Sequence, residues 1–134
     1  MRTISDILGS RRGNVISIGS TNTVHEALVS MAKHNVSALL VMDEGKLVGI
    51  LSEKDYARKV ILQGRSSKKT KVAEIMVEHE KLLFATLKMS EKEAIRVMSE
   101  NQIRHLPVRD SKKKVVGVVS IRDFNFCEDW DNEE

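Results

Sequence analysis

The sequence has a single cysteine, Cys127, and no apolar run that approaches the roughly 18 to 20 residues needed to cross a bilayer. One cysteine cannot form an internal disulfide, which fits a reducing compartment. The first residues, MRTISDILGSRRGN, lack the apolar core of a signal peptide. We therefore expect a soluble protein with no membrane partner, in the cytoplasm or, if a transit peptide has been removed, in an organelle matrix.

Aromatic residues are also scarce, at 4% of the chain, and leave little surface on which nucleic-acid bases could stack. Acidic side chains are concentrated at the end of the sequence, where the last eight residues hold five acids and no base. The first 126 residues then carry 22 basic and 14 acidic side chains, a formal net charge of +8. Such a body attracts anions, so solvated lysine faces, nucleic acid and phosphorylated small molecules all stay open as interpretations.

What the chain does contain is an internal duplication. A length of 134 residues with 41% apolar residues suits one compact body. Adding 67 to the numbers from Thr23 to Asp43 aligns that segment with Ser90 to Asp110. An offset of 68 aligns the segments beyond the next turn, and also the lead-in ISDIL at Ile4 to Leu8 with VAEIM at Val72 to Met76. The identical pairs are Glu26/Glu93, Ala27/Ala94, Met31/Met98, Leu39/Leu106, Val41/Val108, Asp43/Asp110, Val48/Val116, Gly49/Gly117, Ser52/Ser120 and Asp55/Asp123.

Each copy predicts the same series of elements: a lead-in, a strand, a helix with an apolar stripe, a two-stranded hairpin and a closing helix. The closing helix is predicted in full for DYARKVILQ, and as short or missing where DFNF precedes the acidic tail. The predicted fold class is α+β, with two β-α-β-β-α repeats related by a pseudo-two-fold axis and their sheets packed together. The predicted segments are repeat 1 at about 4–62, a basic linker at 63–71, repeat 2 at about 72–126 and an acidic tail at 127–134.

The pattern resembles the CBS domain, and the pair resembles the tandem CBS, or Bateman, module of small stand-alone proteins. The resemblance rests on the lead-in VAEIM, the Ala-x3-Met helix, the hairpin HLPVRDSKKKVVGVVS and a Gly-h-h-Ser-x-x-Asp motif, where h is apolar, that occurs as GILSEKD and GVVSIRD. It implies a regulatory module that binds AMP, ADP, ATP, NAD(H) or S-adenosylmethionine, requires no cofactor, forms a homodimer and acts on a regulated enzyme or other protein.

The resemblance also implies two clefts, each drawing its residues from both copies. The motif Ser and Asp would contact phosphate and ribose, and the first hairpin strand would line the adenine. Cleft one is predicted to join Ser120, Arg122 and Asp123 to Val36, Ser37 and Ala38, and cleft two to join Ser52, Lys54 and Asp55 to Ile103, Arg104 and His105.

These residue types suit a nucleotide, because an aspartate can accept two hydrogen bonds from a ribose diol and a nearby cation can balance phosphate. Ser52-x-x-Asp55 is equally the pattern of a helix capping box. We favour nucleotide contact, since capping requires neither the glycine before the serine nor the basic residue before the aspartate in both copies. Cleft two should contribute more, because Lys54, Arg104 and His105 add positive charge and a complete helix follows Asp55.

Other candidate sites are weaker. Arg65, Ser66 and Ser67 in the basic linker either contact phosphate or form a solvated loop. The four histidines lack partners at metal-ligand spacing, so no metal site is predicted, and no catalytic arrangement is found, so an enzyme is not expected. Two further hypotheses stay open: a nucleic-acid-binding protein that uses the basic body, and a structural dimerisation module with silent clefts.

Overall fold

The computed structural model describes residues 2–124, which form two compact units. The central unit comprises Ile16–Leu82, and the terminal unit combines the two ends of the chain, Met1–Val15 with Leu83–Glu134. The end of the predicted second repeat, the acidic tail and Cys127 lie outside the described residues.

Apart from one additional short strand at Val77–Glu78 and the closing helices, the helices and strands follow one another in the order that the duplication predicts. The helices are α1 Ile4–Leu8, α2 Val24–His34, α3 Glu53–Tyr56, α4 Val72–Ile75 and α5 Glu91–Asn101. The strands are β1 Ser17–Ile18, β2 Ala38–Asp43, β3 Lys46–Ser52, β4 Val77–Glu78, β5 Ala85–Thr86, β6 His105–Arg109 and β7 Val115–Ser120. The mixed α+β class is therefore confirmed.

The two sheets share one pattern of strand pairing. In the central unit the strand order is β1-β2-β3-β4, and in the terminal unit it is β5-β6-β7. The first strand of each sheet runs parallel to the second, and the second and third form an antiparallel hairpin. The hairpin places Ala38 opposite Ser52 and, in the other unit, His105 opposite Ser120.

The main helices α2 and α5 begin and end at equivalent residues. Thr23 and Ser90 are the N-caps, and each side chain accepts a hydrogen bond from the backbone N–H three residues later. Both helices end at a residue in the left-handed region, Asn35 at φ 54° and Gln102 at φ 53°. Their bounds differ by 67 residues, which is the offset predicted from the sequence.

Each unit has its own apolar core beneath its main helix. The periodic residues of α2 and α5 are buried against the hairpin, which is the amphipathic packing that their spacing predicts. The central core includes Val24, Ala27, Met31, Leu39, Val41, Leu51, Val60, Val72 and Ile75, and the terminal core includes Ile4, Leu8, Ala85, Ala94, Met98, Leu106, Val108, Val116, Val119 and Phe124.

The lead-in helices α1 and α4 are exchanged between the sequence copies. The N–H of Ile4 donates to Met89 O at 2.8 Å, and the N–H of Val72 donates to Asn22 O at 2.9 Å. Each lead-in thus satisfies the first N–H of its helix with a carbonyl of the other copy, and buries its apolar side chains there. The compact units therefore have different bounds from the predicted repeats at about 4–62 and 72–126, which stay a prediction as sequence segments.

The closing helices differ between the copies. After β3 the chain forms α3 and then a π-helical turn, Ala57–Ile61, so the predicted helix is present but is not a uniform α-helix. After β7 only a 3-10 turn, Ile121–Asp123, is found before the described residues end. Among residues 2–124, no helix has the length and apolar character that a bilayer span requires.

Candidate functional site

The serine-aspartate turn of the central unit joins β3 to α3 as a capping box. The Asp55 N–H donates to Ser52 Oγ at 3.3 Å, while Asp55 Oδ2 accepts from the Ser52 N–H and the Ser52 hydroxyl, both at 3.0 Å. Ser52 is the last residue of an extended strand, so its side chain meets the first amides of the helix. The capping interpretation therefore describes part of what this motif does.

The other carboxylate oxygen of Asp55 contacts a cation. Lys59 Nζ lies 3.3 Å from Asp55 Oδ1 and also donates to the carbonyl of Ile75, at the end of α4, at 2.9 Å. The Asp55 side chain is 12% exposed. The carboxylate is thus largely buried, with one oxygen fixed by the serine and the other beside a positive charge.

The equivalent turn of the terminal unit holds Asp123 in a similar way, but the serine oxygen accepts from the N–H of the residue before the aspartate and not from that of the aspartate itself. The Ser120 N–H donates to Asp123 Oδ2 at 2.8 Å, and Ser120 Oγ accepts from the Arg122 N–H at 3.3 Å. Arg11 Nη2 lies 3.3 Å from Asp123 Oδ1, and Arg2 donates to the Asp123 carbonyl at 3.1 Å. The Asp123 side chain is 23% exposed, which is about twice the exposure of Asp55.

The first hairpin strand of each copy lies beside the turn of the same copy. In the central unit the N–H of Glu53 donates to Ser37 O at 3.0 Å. In the terminal unit the N–H of Ile121 donates to Arg104 O at 2.9 Å. The structure thus brings Ser37 and Ala38 to Ser52, and Arg104 and His105 to Ser120. The predicted pairing across the copies is not tested by these contacts and stays a prediction.

The remaining predicted residues occupy two kinds of position. Val36 and Ile103 are half-buried and pack against the apolar cores of their own units. Lys54 and Arg122, the basic residues before the two aspartates, are exposed. Each turn therefore has an exposed basic side chain beside its aspartate.

The glycine of the repeated motif has a packing role that the sequence did not reveal. A Cβ on Gly49 would lie 2.6 Å from Val77 O and 2.8 Å from Met76 Sδ. A Cβ on Gly117 would lie 3.1 Å from a methyl carbon of Leu8, the residue equivalent to Met76. The glycine accommodates the lead-in segment, so its presence in both copies does not by itself favour ligand contact over capping.

The same capping pattern also occurs at helices that do not directly follow a hairpin strand. Thr3 with Asp6 and Thr23 with Glu26 form boxes at the starts of α1 and α2. The N–H of Thr3 lowers the pKa of Asp6, and the N–H of Thr23 lowers the pKa of Glu26, because each stabilises the ionised carboxylate. Glu74, in the box at the start of α4, also has a cation, Arg65, on its second oxygen. What distinguishes Asp55 and Asp123 is therefore their place directly after the second strand of a hairpin.

The basic linker at 63–71 is bound to the central unit. Ser67 O accepts from the N–H of His25 at 3.0 Å, Ser66 O accepts from the buried Thr70 hydroxyl at 2.7 Å, and Arg65 forms an ion pair with Glu74. Because Glu74 partly neutralises Arg65, these contacts do not favour a phosphate role for it. Within residues 2–124, no group of three or more His, Cys, Asp or Glu side chains is arranged to hold a metal ion.

Sequence reasoning missed the cations that contact the two aspartates. Lys59 could have been found, because it lies four residues after Asp55 on a predicted helix, where opposite charges meet. Arg11 and Arg2 have no such local signal, since they reach Asp123 from the opposite end of the chain.

A family model described as CBS domain matches this chain twice, over residues 4–62 and 71–125. The chain belongs to the CBS-domain family. The two matches correspond to the two copies of the internal duplication, so the chain carries a CBS pair.

Two relatives of known name are similar over most of this chain. The mitochondrial CBS domain-containing protein CBSX3 of Arabidopsis thaliana is 44% identical over an alignment of 128 residues, and the match covers 90% of this chain and 62% of the plant protein. The CBS domain-containing protein YhcV of Bacillus subtilis is 32% identical over 121 residues, 90% of this chain and 84% of the bacterial protein. The chain therefore spans less than two thirds of the plant relative's length.

Two solved structures have the same fold. The CBS-domain protein NE2398 superposes with a TM-score of 0.84 at 36% identity, covering 96% of this chain and 97% of that one. The CBS domain pair of protein MJ0100, in complex with 5-methylthioadenosine and S-adenosylmethionine, superposes with a TM-score of 0.80 at 29% identity, covering 100% and 99%.

Proposed function

We propose that this CBS pair is a non-catalytic regulatory module that binds an adenosine-containing ligand at the Asp55 and Asp123 turns. One observation carries the proposal: both units hold a carboxylate at the end of the hairpin, with Oδ2 fixed by a serine N–H and Oδ1 beside a cation. A carboxylate oxygen has two lone pairs, so Oδ1 can accept from the cation and from a ribose hydroxyl together. Ligand binding would then alter conformation or the contacts with a regulated enzyme or other protein.

The adenosine class is supported by the MJ0100 pair, since both of the ligands in that structure contain adenosine. We extend the proposal to AMP, ADP, ATP and NAD(H), which the family resemblance implies. We also propose that the module requires no cofactor. Exposed Lys54 and Arg122 would balance phosphate at the two turns, and Arg104 and His105 add charge near Ser120. The ligand in this proposal is a regulator and not a substrate.

A ligand panel tests the proposal directly. Thermal unfolding is followed with AMP, ADP, ATP, NAD, NADH and S-adenosylmethionine at millimolar concentration. A ligand at about 100 times its Kd stabilises the folded state by roughly 2.7 kcal/mol, which raises Tm by several degrees for a domain of this size. If none of the six shifts Tm, the structural dimerisation module becomes the better interpretation.

The role of the carboxylates is tested by calorimetric titration of Asp55→Ala and Asp123→Ala with the best ligand and with its 2′-deoxy analogue. Loss of the carboxylate should weaken binding by about 1 to 3 kcal/mol, because ligand hydroxyls are left unpaired. The 2′-deoxy analogue should bind the wild type more weakly, and the deficit should shrink in the variants. Glu26→Ala is the matched control, because it removes a capping box from α2 and leaves both turns intact.

Salt dependence separates this proposal from nucleic-acid binding by the basic body. Counterion release makes nucleic-acid affinity fall steeply with salt, whereas mononucleotide binding should change much less. We also propose a homodimer, supported by the exposed apolar side chains Val29, Ile61 and Leu62, and expect sedimentation at tens of micromolar to give twice the 15.1 kDa chain mass. For the compartment we propose the cytoplasm or an organelle matrix.

A further inference from the structure

Each proposed ligand-binding carboxylate is tied to a lead-in helix by one cation. In the central unit Lys59 Nζ lies 3.3 Å from Asp55 Oδ1 and 2.9 Å from the carbonyl oxygen of Ile75. In the terminal unit Arg11 Nη2 lies 3.3 Å from Asp123 Oδ1 and 3.4 Å from the carbonyl oxygen of Ile7. Ile7 and Ile75 are equivalent residues of α1 and α4, so the two bridges join the same two places.

The bridging cations themselves are not equivalent in the repeat. At the offset of 68, Lys59 corresponds to Cys127, which lies outside the described residues, and Arg11 corresponds to His79. The duplication therefore did not copy this contact from one unit to the other. Two unrelated positions supply a cation to the same oxygen, which indicates that the arrangement meets a requirement of the turn and is not a passive remnant of the repeat.

A bridge of this kind controls the direction in which the carboxylate points. Serine fixes Oδ2, and a cation held by the helix carbonyl fixes Oδ1, so that the plane of the carboxylate is set before any ligand arrives. Binding groups that are held in place by neighbouring hydrogen bonds bind better than groups that must be ordered first.

We propose that Arg11 and Lys59 are positioning residues that orient Asp123 and Asp55 for ligand hydroxyls and couple each carboxylate to the seating of its lead-in helix. This inference rests on the proposed nucleotide-binding function. Because coupling between two sites is reciprocal, ligand at Asp123 should also stabilise α1 and the residues that follow it. The stability of the segment up to Arg11 should therefore depend on whether ligand is bound to the terminal unit.

The test compares five variants of the full chain in two measurements, nucleotide affinity by calorimetry and amide hydrogen exchange of α1 and α4 with and without nucleotide. Arg11→Gln is matched by Arg12→Gln, and Lys59→Gln by Arg58→Gln, since each control removes the same charge from the neighbouring exposed residue. Half-exposed ion pairs are modest, so Arg11→Gln and Lys59→Gln should each weaken binding about two- to fivefold relative to their controls. Arg11→Lys should restore part of the affinity.

Hydrogen exchange separates positioning from a general loss of structure. In the wild type, nucleotide should slow exchange in α1, and Arg11→Gln should abolish that slowing while Arg12→Gln keeps it. If Arg11→Gln matches Arg12→Gln in affinity and in exchange, the positioning role is overturned and the proposed function stands. If the wild type binds no nucleotide, the proposed function is overturned. The bridge is then tested without ligand: if α1 and the Ser120 amide exchange at the same rate in Arg11→Gln as in the wild type, the bridge is overturned as well.

Discussion

Asp55 and Asp123 hold equivalent positions in the two units, but their supporting residues come from different parts of the chain. The support of Asp55 is local, because Lys59 lies one helical turn away. The support of Asp123 comes from the first residues of the chain, since Arg11 contacts its carboxylate and Arg2 its carbonyl across a separation of 121 residues. The duplicated aspartate thus kept its geometry, while the residues that hold it diverged.

The start of the main helix shows the same divergence. In the central unit Val24 is buried beside Thr70, and the Val24 N–H donates to Thr70 O at 2.8 Å. In the terminal unit the equivalent positions are Glu91 and Arg2, with the same backbone bond at 2.9 Å and an added ion pair whose Nε to Oε2 distance is 3.0 Å. A buried valine and threonine in one unit are thus replaced by a partly buried charge pair in the other.

The largest expected difference lies between the two motif glycines. Gly49→Ala should lower the free energy of unfolding by about 3 kcal/mol, because the added methyl meets a backbone carbonyl that cannot move cheaply. Gly117→Ala should change it by less than about 1 kcal/mol, since the methyl meets only the flexible end of Leu8. Urea denaturation of both variants measures the difference, and equal losses would contradict the packing role assigned to Gly49.

The Arg2–Glu91 pair gives the next largest effect. Arg2→Ala should cost about 2 kcal/mol at pH 7, because it leaves the Glu91 carboxylate, only 8% exposed, without its cation. Glu91→Val, which introduces the residue that the central unit has at this position, should be close to neutral, because Arg2 is 42% exposed and can be solvated. Guanidinium is unsuitable for this measurement because it screens charge, so urea is used. If Glu91→Val loses more unfolding free energy than Arg2→Ala does, the ion pair itself is strongly favourable.

The two turns should also differ in their contribution to stability without ligand. Asp55→Ala should cost about 2 kcal/mol and Asp123→Ala about 1 kcal/mol, since Asp55 is the more buried carboxylate and caps an α-helix, whereas Asp123 caps a 3-10 turn. Thermal and urea unfolding of the unliganded variants give these values. The reverse order would mean that the arginines from the N-terminal segment anchor Asp123 more firmly than Lys59 anchors Asp55.

The smallest predicted effect is a change in pKa at Asp43, which lies, like Asp110, at the turn between the two strands of a hairpin. The Ser20 hydroxyl and N–H lower the pKa of Asp43, whereas the backbone N–H groups of Lys114 and Lys112 lower the pKa of Asp110. A lowered folded-state pKa stabilises the fold above the ordinary value of 3.8, and this stabilisation is lost as pH falls through the folded-state pKa.

Ser20→Ala should therefore raise the pKa of Asp43 toward 3.8 and leave that of Asp110 unchanged. Carboxyl-carbon NMR titration between about pH 2 and 6 measures both values in one sample. A shift of Asp110 in this variant would contradict the assignment, since its hydrogen bonds come from backbone groups that Ser20 does not contact.

Much of the fold could be predicted because the duplication and the periodicity of the sequence determine it locally. The apolar stripes placed α2 and α5, and the offset of 67 aligned their ends. The exchange of α1 and α4 could not be predicted, because residues such as Ile4 and Val72 are apolar in either arrangement and only the tertiary partner of their N–H groups differs. Periodicity indicates which residues are buried, but it does not indicate which copy they pack against.

The candidate site, like the fold, could be predicted only in part. The repeated Ser and Asp were found from sequence alone, and their placement at the hairpin end follows from the strand pattern. From the sequence, the repeated glycine favours a ligand site. In the structure its lack of a side chain instead makes room for Met76 or Leu8. Arg2 and Arg11 could not be found from the sequence, because nothing near them indicates a partner at residue 123.

The exchanged lead-in helices also affect the order in which the two units can form during synthesis. The central unit is one continuous segment, so all of its residues are available once Leu82 has left the ribosome. The terminal unit needs both ends of the chain, and α1 has no sheet to pack on until the β6–β7 hairpin has been made. Chains generally fold from the N-terminus as they emerge, and contacts between distant residues form slowly. We therefore expect residues 2–15, although made first, to be among the last to acquire their final structure.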